Sequence, residues 1–206
     1  MPLLSTFGAG SARSLGVGLA SRLVGIISDA ANGSGLNSPL AGDVVVSATG
    51  NLTTPRTVPS GYTQIVGITS SGVWGPSPNY KVSGTLSYRI LDGTESSGPG
   101  SFVHVRYSKP VTSVNVLQSS AQTGAYNVNF SAQSGSYLGI ILVSARGAYN
   151  GGVGSFSGLP AGVESVSHSS SSSGANFALS DSGGSSSVAA GGFSGAGMFA
   201  QIQFNG

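Results

Sequence analysis

The sequence predicts an all-β protein: an antiparallel β-sandwich or jelly roll, preceded by an N-terminal arm that contains one short helix. Two observations lead to this fold class. Apolar and polar residues alternate over short segments from Gly42 onward, and clusters of Gly, Pro, Asn and Ser separate those segments. Hydrophobic residues make up 39% of the 206 residues, which is enough to form a core. We therefore divide the chain into an arm over residues 1–38 and a sandwich domain over residues 39–206.

The arm begins with a glycine-rich stretch and continues with apolar residues at helical spacing. From Val17 onward these residues recur at steps of three and four, and Asn32-Gly33 supplies a stop signal. The pattern predicts one helix of roughly three turns. Internal glycines weaken this helix, so it needs a neighbour to pack on. The apolar residues that we assign to the docking surface of the arm are Phe7, Leu15, Leu19, Leu23, Ile26 and Ile27.

The remaining chain predicts about nine or ten short strands. Two of them are continuous apolar runs, 43–47 and 138–143, which are typical of strands covered on both faces. The serine run at 169–174 is interpreted as a loop within one domain, because strand-like segments continue on both sides. The other predicted strands are 62–69, 85–90, 102–107, 112–118, 126–131, 162–168, 175–180 and 198–204.

The composition points away from catalysis and towards a building block. The chain has 34 glycines, no cysteine, eight Lys and Arg and six Asp and Glu. Without cysteine there is no disulfide framework, thiol nucleophile or Cys-ligated zinc site. The few basic residues are scattered, so no nucleic-acid surface is expected. So uncharged a surface is typical of a protein that lives in an assembly or outside the cell. We expect no enzyme, cofactor or metal.

Neither a signal peptide nor a membrane span is expected. The N-terminus lacks a basic region ahead of an apolar run. The most apolar window near it, residues 15–27, is shorter than the roughly 20 residues that a bilayer requires, and Arg22 lies within it.

Few residues offer candidate chemistry. His104 and His168 lie in predicted strands, and a Ser-His-Asp arrangement is conceivable, but His104 falls on the polar face beside Arg106 and is predicted to be exposed and non-catalytic. The two histidines are too far apart in sequence to form a metal motif.

The segment Asp92-Gly93-Thr94-Glu95 holds two carboxylates that would suit calcium or an acid/base pair. An Asp-Gly step after an alternating strand predicts a tight hairpin turn instead. Trp74 and Tyr80 share a loop that is either a sugar-stacking platform or a plug at one end of the sandwich. With Tyr149, in another Gly-rich loop, they are our candidate receptor contacts.

Several motifs resemble a β-sandwich module that recurs in structural proteins of tailed bacteriophages. Its pattern is a Gly-Asp-hydrophobic strand, a P-x-G-aromatic-T segment and a strand that ends in Asp-Gly-Thr-Glu. Arg89 stands where lysine is frequent. Residues 4–16 are similar to the short arms that begin many marine and cyanobacterial phage virion proteins. The matching segments are 42–46, 59–65, 81–90, 92–95 and 101–105.

The resemblance implies a virion component, made in the host cytoplasm and released by lysis. We expect a fibre-like or adhesin-like appendage whose arm docks onto tail, baseplate or capsid proteins, whose sandwich binds a host-surface glycan, and whose state is a homotrimer. The alternative is a capsid decoration (cement) protein. A third hypothesis is a carbohydrate-active enzyme on the same fold, which would need paired carboxylates about 5–10 Å apart.

Overall fold

The computed structural model describes thirteen β-strands, and no helix among the residues that it describes. These residues are 23–30, 34–51, 57–70, 82–123, 127–146, 154–159, 163–169, 174–180, 186–189 and 196–206. The strands are β1 (Leu23–Ala30), β2 (Ala41–Asn51), β3 (Thr63–Ser70), β4 (Val82–Asp92), β5 (Ser101–Tyr107), β6 (Ser113–Thr123), β7 (Asn127–Phe130), β8 (Gly139–Arg146), β9 (Ser155–Ser157), β10 (Glu164–Ser169), β11 (Gly174–Ser180), β12 (Ser186–Ala189) and β13 (Ala196–Asn205). No helix within those ranges is long and apolar enough to cross a membrane.

The strands form three antiparallel sheets. The first sheet has the order β1-β5-β2-β4-β3, the second has the order β10-β11-β8-β13-β6, and the small third sheet has the order β7-β12-β9. The first sheet is therefore built from the first half of the chain and the other two from the second half. The predicted antiparallel β-sandwich is confirmed.

The second sheet is covered on both faces. Val143 and Phe177 point into the main core against Val46 and Val105 of the first sheet. On the other face, Ile140, Leu142 and Phe199 pack against Val128 and Phe130 of β7. Because neighbouring side chains in a strand point to opposite faces, a strand between two layers must be apolar throughout. This confirms the interpretation of 138–143 as a strand covered on both sides.

The outer face of the first sheet is covered by chain segments rather than by a sheet. Segments 34–40 and 93–100 lie over it and are joined by hydrogen bonds from Leu36 N–H to Ser96 O (3.0 Å) and from Gly98 N–H to Ser34 O (3.2 Å). Beneath them Val45, Leu91 and Phe102 form a small apolar cluster. The middle valine of the Val44–Val46 run is therefore buried on the outer face, while its two neighbours enter the main core.

The helix expected from Val17 is not present over residues 23–30, which form strand β1. This strand pairs with β5, with Ile26 opposite Val105, and has register shifts around Gly25, where φ is +144°. Aliphatic and β-branched residues at an open sheet edge gain more from ladder hydrogen bonds and packing than from an isolated helical turn. The sandwich therefore begins before residue 39.

Of the residues assigned to the docking surface of the arm, three lie in strand β1 and three lie outside the described residues. Leu23 pairs with Tyr107, Ile26 packs against the main core and Ile27 is half-buried. Phe7, Leu15 and Leu19 lie outside the described residues, as does the rest of the predicted helix.

Strands β9 and β12 were not predicted, because three or four residues of Ser, Phe, Val and Ala give too short a pattern. Ser169 pairs with Gly174, so the two ends of the serine run belong to paired strands, and the residues between them lie outside the described residues.

Candidate functional site

Two clusters of polar side chains lie on the outer face of the first sheet. In β4 and β5, Leu86 and Val105 point into the main core, so Arg89 and His104 point outward. We call Tyr62, Arg89, Asp92 and Glu95 the Arg89 cluster. We call Ser28, Asp43, His104 and Arg106 the Asp43 cluster.

The Arg89 cluster is built on the Asp-Gly-Thr-Glu segment that ends β4. The Asp92 carboxylate accepts hydrogen bonds from the N–H (2.8 Å) and hydroxyl (2.5 Å) of Thr94, and Gly93 takes a positive φ of +93°. These hydrogen bonds hold the pKa of Asp92 below its ordinary value. The predicted turn is confirmed, but the predicted hairpin is wrong. β4 and β5 are separated by β2 in the sheet, so residues 93–100 form a connection over the sheet face.

Glu95 fastens this connection to the sheet. Its carboxylate accepts hydrogen bonds from Asp92 N–H (3.1 Å) and Gly93 N–H (3.0 Å) and lies 2.7 Å from Arg89 Nη2. Only 7% of the Glu95 side chain is exposed, whereas 28% of the Arg89 side chain is. Arg89 is therefore the more accessible member of the pair.

The turn before β3 completes the Arg89 cluster. A Cβ on Gly61 would lie 2.9 Å from Arg89 Nη1, so the guanidinium lies close to the backbone at this position. Gly61 also has a φ of +79°, a conformation that glycine adopts more easily than other residues. The next residue, Tyr62, packs on the apolar cluster of the outer face. Burial raises its pKa to about 12 despite the nearby positive charge of Arg89, so its hydroxyl stays protonated. Two motifs of the sequence, 59–62 and 89–95, thus meet in space.

An open cleft of about 540 Å³ lies beside this meeting point. Hydroxyl side chains contribute much of its lining, together with Arg89, Glu95 and Tyr62, and the rings of Pro59 and Pro99 add apolar surface. The lining hydroxyl residues are Ser60, Thr94, Ser96 and Ser97. The cleft offers hydrogen-bond donors, acceptors and flat apolar surface within one site.

The Asp43 cluster is closed by contrast. His104 is completely buried, so the prediction of an exposed histidine is wrong. Segment 34–40 covers the polar face on which it lies. Its Nε2 is 2.8 Å from Asp43 Oδ2 and its Nδ1 is 3.1 Å from Ser28 Oγ. Because a carboxylate only accepts, Nε2–H donates to Asp43, and Nδ1 forms the second hydrogen bond of the ring with the Ser28 hydroxyl.

These distances place Ser, His and Asp in series, but the serine contacts Nδ1 and the aspartate contacts Nε2, which is the reverse of a catalytic triad. The carboxylate also has other partners. Arg106 donates to both Asp43 oxygens, from Nε (2.9 Å) and from Nη2 (2.7 Å), and Leu40 N–H donates to one of them (2.9 Å). Burial raises the pKa of Asp43, but these hydrogen bonds outweigh it and hold the pKa below its ordinary value. The positive charge of Arg106 offsets the negative charge of Asp43, which in a triad would stabilise a protonated imidazole. This arrangement favours a structural role, in which the cluster joins β1, β2, β5 and segment 34–40.

The other candidates named from the sequence lie elsewhere. Trp74, Tyr80 and Tyr149 lie outside the described residues. Within the described ranges, no group of three or more His, Cys, Asp and Glu residues could hold a metal ion. The cleft itself was missed as a site, although both motifs that build it were recognised, because nothing in the sequence shows that residues 59–62 and 89–95 are neighbours.

Comparison of the chain with models of protein families, with curated proteins and with solved structures gives no match. The cleft and the two clusters are therefore interpreted from their own chemistry.

Proposed function

We propose that the chain is a non-enzymatic structural protein of a tailed-bacteriophage particle, a fibre-like or adhesin-like component that contacts a host-surface glycan through the cleft beside Arg89. One observation carries this proposal. The Pro-Ser-Gly-Tyr and Asp-Gly-Thr-Glu segments, which carry the resemblance to phage structural proteins, meet at an open cleft.

The lining of the cleft suits a sugar. Sugars present hydroxyl groups that need both donors and acceptors, and they present apolar faces of C–H groups that pack on flat rings. Serine and threonine hydroxyls supply both hydrogen-bonding roles, Arg89 supplies fixed donors, and Tyr62 and the two prolines supply rings. A cleft with a few converging polar groups on a fixed scaffold is the usual form of a small-ligand site.

The charges favour a neutral glycan over an acidic one. The Arg89 guanidinium already lies 2.7 Å from Glu95 and 3.6 Å from Asp92, so two carboxylates surround one cation. An acidic sugar would meet a net negative site and would compete with Glu95 for Arg89. The hydroxyls of a neutral sugar bind without either penalty.

The same geometry argues against a glycosidase. A general acid needs a carboxyl group with a raised pKa that reaches the substrate. Glu95 is nearly buried and accepts from two backbone N–H groups and Arg89, and the Asp92 pKa is lowered by its contacts with Thr94. Both carboxylates are engaged as hydrogen-bond acceptors within the turn.

Glycan binding by the purified protein tests the cleft. Ser60 is exposed and lines the cleft, and the polar contacts of Glu95 are with Asp92, Gly93 and Arg89. Ser60→Phe should therefore fill the space and leave the ion pair in place. Ser134→Phe, at an exposed position that does not line the cleft, is the matched control. On a glycan array followed by calorimetry, Ser60→Phe should weaken binding at least about tenfold, and the control should bind as the wild type does.

Two results would contradict glycan binding in the cleft. One is an array without any bound glycan. The other is binding that survives Ser60→Phe but is lost on Trp74→Ala, which would move the site to Trp74.

A cryo-EM map of purified particles tests the particle assignment separately. Density at the tail or at projecting fibres supports an appendage, whereas density tiled over capsid three-fold positions supports the decoration alternative. Particles that lack the chain would overturn both.

A further inference from the structure

Strand β6 forms one edge of the second sheet and differs from an ordinary protected edge. Among the described residues its only ladder partner is β13. Its eleven residues, SVNVLQSSAQT, include no charged residue and no proline. Val116 and Leu117 are 40% and 37% exposed. Soluble proteins usually guard an edge of this length with charges, prolines or a covering segment.

The bulge in β6 does not supply such a guard. Val116 pairs with Ile202 and Gln118 pairs with Gln201, so Leu117 is the extra residue. A protective bulge commonly turns a polar or charged side chain outward. Here the bulged residue is an exposed leucine, and the six residues after it pair regularly with β13.

The main core reaches the surface on the same side of the sandwich. β3, an edge strand of the first sheet, packs opposite β6 and β13 and is also uncharged over its eight residues. Its Ile65 and Val66, like Val114 of β6, are only partly buried against the core. Val116, which shares the face of β6 that points towards the first sheet, is more exposed still. The described residues therefore cover the apolar layer between the sheets incompletely on this side.

The opposite side of the sandwich carries charges. The edge strand of the first sheet there is β1, which contains Asp29, and that of the second sheet is β10, which contains Glu164. Antiparallel pairing of such a strand with itself brings like charges towards one another, which is unfavourable. β6 has no such restriction. The two sides of the sandwich thus differ in their ability to pair with a copy of themselves.

We propose that β6 pairs in an antiparallel manner with β6 of a second copy, so that the two second sheets form one continuous ten-stranded sheet across a two-fold axis. The pairing satisfies the N–H and C=O groups of both edges that no described strand pairs with, and it covers Val116 and Leu117. A two-fold contact is self-complementary, which requires a surface without like charges. It also predicts an even number of copies, in place of the homotrimer implied by the resemblance. The proposal does not depend on the glycan-binding cleft, which lies on the first sheet.

The mass of the full-length protein in solution is the first test. Sedimentation velocity over a concentration series should give a dimer or a larger even assembly. Leu117→Lys and Ser119→Lys each place a charge on the edge and should weaken self-association at least about tenfold, because lysines of both copies approach and apolar contact is lost. Ser165→Lys, at an exposed position of edge strand β10 in the same sheet, is the matched control and should leave the mass unchanged. If Leu117→Lys proves insoluble, Ser119→Lys still tests the proposal.

Single cysteines test the geometry, since the chain has none of its own. Leu117→Cys, Ser119→Cys and Ala121→Cys place a thiol at successive exposed positions of the edge. In a two-fold pair, the residue nearest the axis meets its own copy, so one variant should form a disulfide-linked dimer far more efficiently than the others. Ser165→Cys should not cross-link. A monomer at high concentration, a trimer, or an assembly unaffected by both lysine variants would overturn the proposal.

Discussion

The two polar clusters on the outer face of the first sheet contain similar groups and differ in what covers them. In the Asp43 cluster, segment 34–40 lies over the side chains and His104 is completely buried. In the Arg89 cluster, the connection 93–100 passes beside the ion pair and leaves an open cleft. The comparison teaches that an Arg-carboxylate pair acquires its role from its surroundings. The Asp43–Arg106 pair joins strands beneath a covering segment, whereas the Glu95–Arg89 pair borders an open cleft.

The largest expected difference between the clusters is the effect of removing the carboxylate. Asp43→Ala leaves Arg106 and the buried His104 without their partner and should destabilise the fold by about 3 to 5 kcal/mol. Glu95→Ala removes a partly exposed pair and two turn hydrogen bonds and should cost about 1 to 2 kcal/mol. Chemical denaturation measures both free energies of unfolding. Equal losses in the free energy of unfolding would show that the Arg89 cluster contributes as much to stability as the Asp43 cluster does.

A matched pair of glycine substitutions compares the backbones of the two regions. Gly42, next to Asp43, has a φ of +87°, and a Cβ there would lie 2.6 Å from Pro110 Cα. A Cβ on Gly61 meets only the end of the flexible Arg89 side chain. Gly42→Ala should therefore cost about 3 kcal/mol or more, and Gly61→Ala about 1 kcal/mol. The melting temperatures of the two variants measure this difference. A larger loss for Gly61→Ala than for Gly42→Ala would contradict the conclusion that the backbone at Gly42 is the more tightly packed.

Acid should weaken the fold through Asp43. Its pKa in the folded protein lies below the ordinary value of 3.8, so its stabilising effect is complete above that pH and is lost as the pH falls through the folded-state pKa. Melting temperatures measured from about pH 7 down to about pH 3 should therefore fall more steeply for the wild type than for Asp43→Asn, which lacks the ionisation. Parallel curves would mean that Asp43 does not carry this dependence.

The smallest effect is expected at Ser28. Ser28→Ala removes one half-buried hydrogen bond to His104 and should cost about 1 kcal/mol or less. A fluorophosphonate probe should not label the wild-type protein, because Arg106 holds the Asp43 carboxylate and His104 is buried. Labelling that disappears in Ser28→Ala would reveal a nucleophile and would break the structural interpretation of the Asp43 cluster.

Sequence patterns located the strands of the sandwich more successfully than its edges and layers. The alternation at Thr85–Ile90 and the apolar run at 138–143 correspond to β4 and β8. The segment 23–30 had apolar residues at helical spacing, yet it is a strand, because the free edge of β5 offers it a ladder. β9 and β12 are too short to leave a pattern, and they exist because the second sheet has an apolar face to cover.

The alternation of strands and turns, the low charge and the turn at Asp92 follow from the sequence, because each depends on residues within a few positions of one another. Which outward-facing polar residues meet depends on how the strands pack in three dimensions. Asp43 and His104 are 61 positions apart and became a buried pair when β2 and β5 aligned beneath segment 34–40. Gly61 came to lie against Arg89 by the register of β3 on β4. Alternation assigns a side chain to a face, but register and covering segments decide its neighbours and its exposure to water.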